Sequence, residues 1–303
     1  MKQLFLHIGL HKTGTTALQE WCSANASLLA QKGLLYPLTG KPEGKPYHRQ
    51  FFSQAESGPW ELLYSEIEES RIDTILLSDE AWSAPWVAEG ALQMLKQRLA
   101  RYDVTVLCVL RNPVDYFVSR YRHQIRMGSE TAHWSFSEFV EARVGETNEF
   151  LCQLELWSNV FGRQNVDVLI YDEAKKGGAL GRNFLAKCGL EISEVELPRS
   201  NVHWDDRRLK TLRMATRLDC MFSGRESASL WRHKLATRIR SAGYGRATPL
   251  RKIVRAAVTT IDHSPLISEG GLRTLQVLCS KWPRELMEAG WLDSSQAKAL
   301  AKV

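Results

Sequence analysis

Two glycines and two threonines stand close together after the first apolar run of the chain. Gly9 is followed after four residues by Gly14, and Thr15 and Thr16 come directly after it. Glycines allow a tight backbone turn, and the start of a helix directs free N–H groups and a positive dipole end towards an anion. Because an apolar run precedes this turn and a helical pattern follows it, the segment has the context of a phosphate-binding loop.

The lysine of this loop is displaced from the position that is usual in nucleoside triphosphatases. In those proteins a lysine follows the second glycine and reaches the terminal phosphates. Here Thr15 occupies that position, and Lys12 lies two residues before Gly14. The loop therefore predicts an anion site in which the cation approaches from the amino-terminal side of the glycine.

A second candidate for phosphate binding begins where a later apolar run ends. Arg111 follows the run Val104–Leu110, Pro113 suits the first turn of a helix, and Ser119 comes eight residues after Arg111. A guanidinium forms a two-pronged charged contact with phosphate, and a hydroxyl can complete the site. Alone this arrangement is common, but together with the loop it is a more specific signal.

Acidic residues follow the apolar run Ile72–Leu77. Asp79 and Glu80 are expected at the carboxyl edge of the sheet, where open α/β sheets bind ligands. A carboxylate at this edge either accepts a proton from an attacking group or caps the next helix as an N-cap or first-turn acid. His48 is the second candidate base, because its unperturbed pKa suits proton transfer near neutrality.

Apolar runs alternate with helical patterns over residues 1–190, one helical pattern extending over Thr15–Gln31. The apolar runs are Gln3–Ile8, Leu34–Tyr36, Ile72–Leu77, Val104–Leu110 and Val166–Tyr171. Continuous apolar strands separated by helices are typical of a parallel sheet that is covered on both faces. We therefore predict an α/β fold for residues 1–190, with a three-layer parallel β-sheet that carries the phosphate-binding loop, or P-loop.

The strand signal ends at about Pro198. Helical patterns then follow one another, at Arg207–Met221, Ala228–Ser241, Pro249–Ile261 and Ile267–Ala289. We predict that residues 191–303 form a helical region that packs on the core as part of the same domain.

The net charge of +6 is unevenly distributed, since residues 199–255 hold fifteen Lys/Arg and four Asp/Glu. This imbalance favours either an anionic partner or a solvated helical face. Nucleic acid is not expected, because no recognised nucleic-acid motif accompanies the basic region and its aromatic residues are sparse.

The six cysteines are scattered singly, and no histidines stand at metal-ligand spacing. This pattern argues against a zinc site and against a disulfide framework, and it fits a reducing compartment. The chain begins with a predicted strand rather than a signal peptide, and no apolar run approaches the ~18 residues of a membrane helix. We therefore expect a cytoplasmic protein without a transmembrane segment.

The two phosphate-binding segments together resemble those of the sulfotransferases that use 3′-phosphoadenosine-5′-phosphosulfate (PAPS). Lys12-Thr13-Gly14-Thr15-Thr16 resembles the phosphosulfate-binding loop of that family, and Arg111 with Ser119 resembles its 3′-phosphate site. The resemblance implies that Lys12 contacts the bridging oxygen or the sulfuryl group. It also implies that Thr13 to Thr16 hold the 5′-phosphate through backbone N–H groups and hydroxyls.

The resemblance extends over about residues 2–190, with departures. Tyr171 matches a late strand end near the adenine, and Glu80 matches the glutamate base of some carbohydrate sulfotransferases, with His48 as second candidate. Ala17 stands where the cytosolic branch has tryptophan. A copy of that branch's carboxy-terminal Arg-Lys-Gly loop is not evident.

We therefore expect an enzyme that transfers the sulfuryl group of PAPS to a hydroxyl or amine acceptor. The resemblance implies direct in-line displacement without a metal, and 3′-phosphoadenosine-5′-phosphate as the nucleotide product. The acceptor is not identified, although the basic region favours an acidic carbohydrate. Two alternatives remain: a P-loop kinase or nucleoside triphosphatase whose strand-end acid holds magnesium, and a non-enzymatic binder of nucleic acid or membrane surfaces.

Overall fold

The computed structural model describes residues 1–53, 56–84, 87–145, 147–198, 204–223 and 265–301. The chain forms two compact units. The first contains residues 1–112, 147–200 and 282–303, and the second contains residues 113–146 and 201–281. These units cross the predicted division at residue 190 in both directions, and that division stays a prediction.

A parallel five-stranded sheet forms the centre of the first unit, in the order β2-β3-β1-β4-β5. The strands are β1 (Gln3–Gly9), β2 (Leu34–Leu35), β3 (Thr74–Ser78), β4 (Asp103–Leu110) and β5 (Val166–Ile170). Every neighbouring pair is parallel. The predicted α/β fold with a parallel sheet is therefore confirmed, and the carboxyl ends of β1, β3 and β4 meet at one edge.

Both faces of this sheet are buried. On one face Phe5, Leu76 and Leu107 belong to an apolar cluster with side chains of the flanking helices, among them Leu18 and Phe184. The residues that alternate with them along the strands are buried too, namely Leu4, Leu6, Ile75 and Val106. Burial on both faces explains why the strands have continuous apolar runs rather than an alternating pattern.

The helices of the described residues follow in chain order. They are α1 (Thr15–Ala24), α2 (Ala26–Gln31), α3 (Arg49–Ser53), α4 (Trp60–Ser70), α5 (Glu89–Arg98), α6 (Pro113–Met127), α7 (Phe136–Arg143), α8 (Glu149–Phe161), α9 (Tyr171–Ala174), α10 (Leu180–Lys187), α11 (Asp206–Ser223), α12 (Glu269–Cys279), α13 (Trp282–Glu288) and α14 (Ser294–Ala301). Within this part of the chain, none combines the length and the apolar character that crossing a bilayer requires.

The helix predicted over Thr15–Gln31 is divided into α1 and α2 at Asn25. The Asn25 side chain donates a hydrogen bond to the carbonyl oxygen of Trp21 at 2.9 Å. Asparagine side chains compete in this way with the helical backbone, which is why they favour helix ends.

The carboxy-terminal helices divide between the two units. The pattern Ile267–Ala289 is two helices, α12 and α13, and only α13 belongs to the first unit, together with α14. Asn112, at the end of β4, donates from its side chain to the carbonyl oxygen of Leu300 at 2.8 Å, which fastens α14 beside the sheet. The predicted helices Ala228–Ser241 and Pro249–Ile261 lie outside the described residues.

The second unit is helical in its described part. Helix α6 contacts α11 and α12, and α12 also contacts α7. Helix α7 begins with a capping box, in which the side chains of Ser135 and Glu138 each accept a backbone N–H of the other residue. Ser137 and Ser268 join α7 to the start of α12 through a contact of 2.9 Å between their hydroxyl oxygens.

Candidate active site

The predicted phosphate-binding loop joins β1 to α1 through two glycines in left-handed conformations. Gly9 has φ of 98° and Gly14 has φ of 81°. A Cβ added to Gly9 would lie 3.1 Å from Glu80 Cβ, and one added to Gly14 would lie 2.8 Å from Leu180 Cδ2. Both positions thus require glycine for conformation and for space.

The first turn of α1 is left without a side-chain cap. Gly14 is the N-cap, so no side chain accepts a hydrogen bond there, and the first turn has no acidic residue. Thr15 is buried and Thr16 half-buried at the first two helical positions. The N–H groups of this turn and the positive end of the helix dipole are therefore suited to an anion.

Lys12 has a left-handed backbone, with φ of 66°, and its side chain is half-buried. A left-handed conformation is uncommon for a residue other than glycine and usually needs support from its surroundings. Two hydrogen bonds support the turn: Thr13 Oγ1 donates to Leu10 O at 2.6 Å, and Arg111 Nη1 donates to Lys12 O at 3.1 Å. The backbone of the loop is thus held both from within and from the end of β4.

Arg111 and Tyr171 lie beside the loop. The Arg111 guanidinium carbon is 5.3 Å from the centre of the Tyr171 ring, which is within the range of a cation–π contact. Tyr171 also lies near Gly14, since a Cβ added to the glycine would be 3.3 Å from Tyr171 Cε2. Strand β5 ends at Ile170, one residue earlier than predicted, and Tyr171 begins α9.

Ser119 lies on α6 in the second unit and is half-buried. Pro113 begins that helix, as predicted from its position after β4. The predicted pairing of Ser119 with Arg111 at a 3′-phosphate stays a prediction.

Asp79 and Glu80 follow β3, and the carboxylate of the buried residue, Asp79, is bound to neighbouring groups of the protein. Asp79 is fully buried; its Oδ1 accepts the N–H of Ala81 at 2.9 Å and its Oδ2 lies 2.5 Å from Arg49 Nε. Burial raises the pKa of Asp79, while the hydrogen bonds from Arg49 and Ala81 act in the opposite direction. Of the two acids, Asp79 therefore caps the 3₁₀ turn Glu80–Ser83 that follows.

Glu80 is only partly buried and lies against the loop. Its Oε2 accepts a hydrogen bond of 2.9 Å from Gln19 Nε2, on the first helix. Its Cβ and Ser83 Oγ are the nearest atoms to a Cβ added at Gly9, each at 3.1 Å. The first candidate base thus lies next to the first glycine of the candidate phosphate site.

His48, the second candidate base, is fully buried with both ring nitrogens in hydrogen bonds. Nδ1 accepts the N–H of Ser78 at 3.1 Å, so the proton lies on Nε2, which donates to Pro37 O at 3.0 Å. Burial, together with the charge of Lys41, lowers the pKa of His48 to about 3. This arrangement ties the segment after β2 to β3, and it does not favour His48 as a base.

A buried polar chain that the sequence reasoning missed lies between β1, α1 and β3. Gln19 Nε2 contacts Ser78 Oγ at 3.1 Å, and Ser78 Oγ contacts His7 Nδ1 at 2.8 Å. Gln19 lies among Thr15, Leu18 and Cys22 on the buried face of α1. A polar residue at a position where helical periodicity expects an apolar one was the available signal.

Comparison with known proteins identifies the family. A crystal structure of a sulfotransferase from Alicyclobacillus acidocaldarius aligns at 19% sequence identity and a TM-score of 0.41, over 75% of this chain and 98% of that chain. No match was found among curated protein sequences. The family model described as "Sulfotransferase domain" matches residues 2–179, which is more than half of the chain. The chain belongs to the sulfotransferase family, whose members are enzymes that transfer sulfuryl groups.

Proposed function

We propose that this protein transfers the sulfuryl group of PAPS to a hydroxyl or amine acceptor by direct in-line displacement. The observation that carries the proposal is the 3.1 Å hydrogen bond from Arg111 to the carbonyl oxygen of Lys12. It joins the two segments that resemble donor-binding motifs, although 99 residues separate them in sequence. A nucleotide with phosphate groups at both its 3′ and 5′ positions needs two such anion sites close together.

The loop supplies the proposed site for the 5′-phosphosulfate. The uncapped N–H groups of Thr15 and Thr16 and the dipole of α1 suit the 5′-phosphate. Lys12 would contact the bridging oxygen or the sulfuryl group, where its ammonium stabilises negative charge that develops on the leaving phosphate oxygen. Thr13 serves the loop indirectly, since its hydroxyl already donates to Leu10 O.

Arg111, Ser119 and Tyr171 are the proposed contacts for the rest of the donor. The guanidinium of Arg111 suits a two-pronged contact with the 3′-phosphate, and the Ser119 hydroxyl would complete that site. Tyr171 lies against both Gly14 and Arg111, which supports a contact with the nucleotide between the two anion sites.

In the proposed step, the acceptor oxygen or nitrogen forms a bond to sulfur while the bond between sulfur and the 5′-phosphate oxygen breaks. The electron pair of the broken bond stays on the phosphate oxygen, beside Lys12. The acceptor proton passes to the carboxylate of Glu80. The products are the sulfated acceptor and 3′-phosphoadenosine-5′-phosphate.

Glu80 is preferred to His48 as the base because of its surroundings. The Glu80 carboxylate is partly exposed and adjoins the loop at Gly9, so an acceptor can approach it. The only basic nitrogen of neutral His48 accepts a backbone hydrogen bond in a fully buried site. We assign His48 a structural role.

The magnesium-dependent alternative is not favoured by the contacts of the strand-end acids. Of the two acids at the end of β3 that a kinase or nucleoside triphosphatase would use for the metal, Asp79 is already bound to Arg49 and to the N–H of Ala81. Releasing it for a metal ion would leave the Arg49 guanidinium without this partner.

Donor binding and transfer are tested in two steps. Titration calorimetry with 3′-phosphoadenosine-5′-phosphate, in the presence of a chelator, is expected to give saturable binding, and Arg111→Ala is expected to weaken it. Incubation with labelled PAPS and a panel of phenols, amines and neutral and acidic carbohydrates then identifies the acceptor by its mass shift. An acidic carbohydrate is the acceptor that we expect to be sulfated fastest.

The matched control for Arg111→Ala is Lys32→Ala, which removes an exposed cation at the end of α2. It is expected to bind 3′-phosphoadenosine-5′-phosphate, the bisphosphate, with the same affinity as the unaltered protein. Binding that depends on magnesium, together with hydrolysis of ATP, would contradict the proposal. So would equal effects of the two substitutions on bisphosphate affinity.

A further inference from the structure

Gln19 forms the hydrogen bond that holds the proposed base. Its Nε2 lies 2.9 Å from Glu80 Oε2 and 3.1 Å from Ser78 Oγ, so the two amide hydrogens are both used. Gln19, Ser78 and His7 are all buried, with exposed fractions of 2% or less. The partly exposed carboxylate of Glu80 is therefore anchored from the protein interior.

The chemistry of the partners determines which end of the Gln19 amide faces Glu80. An ionised carboxylate only accepts hydrogen bonds, so the amide must present its NH₂ group and not its oxygen. The same NH₂ group donates to Ser78, whose hydroxyl lies 2.8 Å from His7 Nδ1. Burial lowers the pKa of His7 to about 4, so its ring is neutral and can accept the Ser78 hydroxyl hydrogen there.

The two acids after β3 differ in what holds them. Asp79 is held by Arg49 and by the N–H of Ala81, in contacts local to its own turn. Glu80 is held by Gln19, which lies one helical turn after Thr15 on the helix whose first turn adjoins the loop. One rigid helix thus connects the proposed donor site and the proposed base.

We propose that Gln19 is a positioning residue, which orients the Glu80 carboxylate towards the acceptor relative to a donor held at the start of α1; this inference rests on the proposed function. A long glutamate side chain on a short 3₁₀ turn would otherwise sample several rotamers. Holding it removes that freedom before the reaction begins, and small errors in such alignment cost large factors in rate.

The test is a double-mutant cycle on Gln19→Met and Glu80→Gln. Methionine keeps the length and volume of glutamine but cannot donate a hydrogen bond. The rate measured is transfer of labelled sulfuryl from PAPS, to the acceptor found in the panel or, with none added, to water. Gln19→Met is expected to lower this rate about 10- to 100-fold, with bisphosphate affinity unchanged, and to have no further effect in the Glu80→Gln protein.

Two further variants separate positioning from folding. Gln19→Asn keeps an amide but is one methylene shorter, so it is expected to lower the rate as Gln19→Met does. Gln97→Met makes the same chemical change at an exposed glutamine of α5 and is expected to have no effect. Thermal unfolding of each variant shows that it is folded, and Gln19→Asn serves as the test if Gln19→Met does not fold.

Three other outcomes would contradict, in turn, the positioning role of Gln19, the assignment of Glu80 as the base, and the proposed function. If Gln19→Met lowers the rate by the same factor in the Glu80→Gln protein, or weakens bisphosphate binding in proportion, Gln19 acts through the loop and the inference is wrong. If Glu80→Gln keeps the full rate, Glu80 is not the base and nothing remains for Gln19 to position. If the unaltered protein neither binds the bisphosphate nor transfers sulfuryl, the proposed function itself is wrong.

Discussion

The carboxyl ends of β1 and β3 are neighbours in the sheet, yet their polar groups are used in different ways. After β1, the polar groups are chiefly backbone N–H groups of a glycine-bounded loop and of an uncapped helix start. After β3, they are side chains that bind one another, with Asp79 capping its turn and bound to Arg49. Only Glu80 in this second region remains partly exposed beside the loop.

Burial and internal hydrogen bonds distinguish structural from chemical roles among the polar residues at this edge of the sheet. A buried polar group must be hydrogen-bonded to be tolerated, so Asp79 and His48 are explained by their internal contacts. Lys12, Arg111 and Glu80 are each half-buried at the carboxyl edge of the sheet, where a ligand can reach them.

The sharpest test compares the two acids after β3. Glu80→Gln is expected to lower the rate of sulfuryl transfer by about 10²- to 10⁴-fold, the usual contribution of a general base, with little effect on stability. Asp79→Asn is expected to lower the free energy of unfolding by about 1–3 kcal/mol, because it removes a charged hydrogen bond, with little effect on the rate. Single-turnover rates and urea unfolding measure the two quantities, and the opposite pattern would reverse the assignment.

At the end of β1, the side chain that matters most is Lys12. Lys12→Ala is expected to lower the transfer rate by about 10²- to 10³-fold, as loss of a group that stabilises developing charge does. Lys32→Ala, at the exposed end of α2, is the control and is expected to keep the rate. An unchanged rate for Lys12→Ala would remove the loop from the chemistry, and a merely weaker affinity would make Lys12 a binding residue.

Gly14 tests whether the shape of the loop matters apart from its charge. Gly14→Ala is expected to lower the free energy of unfolding by about 1–2 kcal/mol, because alanine is strained in the left-handed conformation of this residue. The added methyl group would also crowd Leu180. Gly33→Ala has a similar φ of 87° but open space around its added Cβ, so it reports the backbone contribution alone. Bisphosphate affinity, measured by calorimetry, is expected to fall for Gly14→Ala only; an equal loss in both variants would contradict a role for the close contact.

The two buried histidines, His7 and His48, make the stability of the protein depend on pH. Burial lowers the pKa from 6.5 to about 4 for His7 and to about 3 for His48. Below about pH 6.5 these histidines take up protons in the unfolded chain but not yet in the folded protein. Their contribution to the free energy of unfolding is therefore largest above about pH 6.5 and decreases as the pH falls towards 4. Each histidine contributes about 1.4 kcal/mol per pH unit in that window.

His48→Asn checks this dependence, because asparagine can still accept the Ser78 N–H. In urea unfolding between pH 4 and 6.5, the free energy of unfolding of this variant is expected to change by about 1.4 kcal/mol less per pH unit than that of the unaltered protein. A slope equal to that of the unaltered protein would show that His48 is not buried in its neutral form.

The strands could be predicted from the sequence because a sheet buried on both faces leaves uninterrupted apolar runs. All five strands lie at the predicted runs, and β2 is shortened to Leu34–Leu35, just ahead of the proline that follows Tyr36. The loop and the start of α6 at Pro113 were also predicted, since glycine and proline have strong local preferences.

The contacts that distinguish the candidate groups could not be predicted in this way. Gln19 meets Glu80 across 61 residues, and Arg49 meets Asp79 across 30. Neither pairing has a local pattern: the first contact exists only once β1 and β3 lie side by side, and the second only once α3 packs at the end of β3. The burial and the two hydrogen bonds of His48, the second candidate base, likewise could not be predicted from the sequence.

The bond from Asn112 to the carbonyl oxygen of Leu300 joins residues that are 188 apart in sequence. The unit that holds the sheet therefore completes its packing only after the ribosome has made residues 282–301, long after the loop has left the exit tunnel. Contacts of such high sequence separation slow folding and lengthen the time for which apolar strands are exposed. A nascent chain of this protein is thus expected to keep apolar strands exposed, and to be prone to aggregation, until residues 282–301 can pack against the sheet.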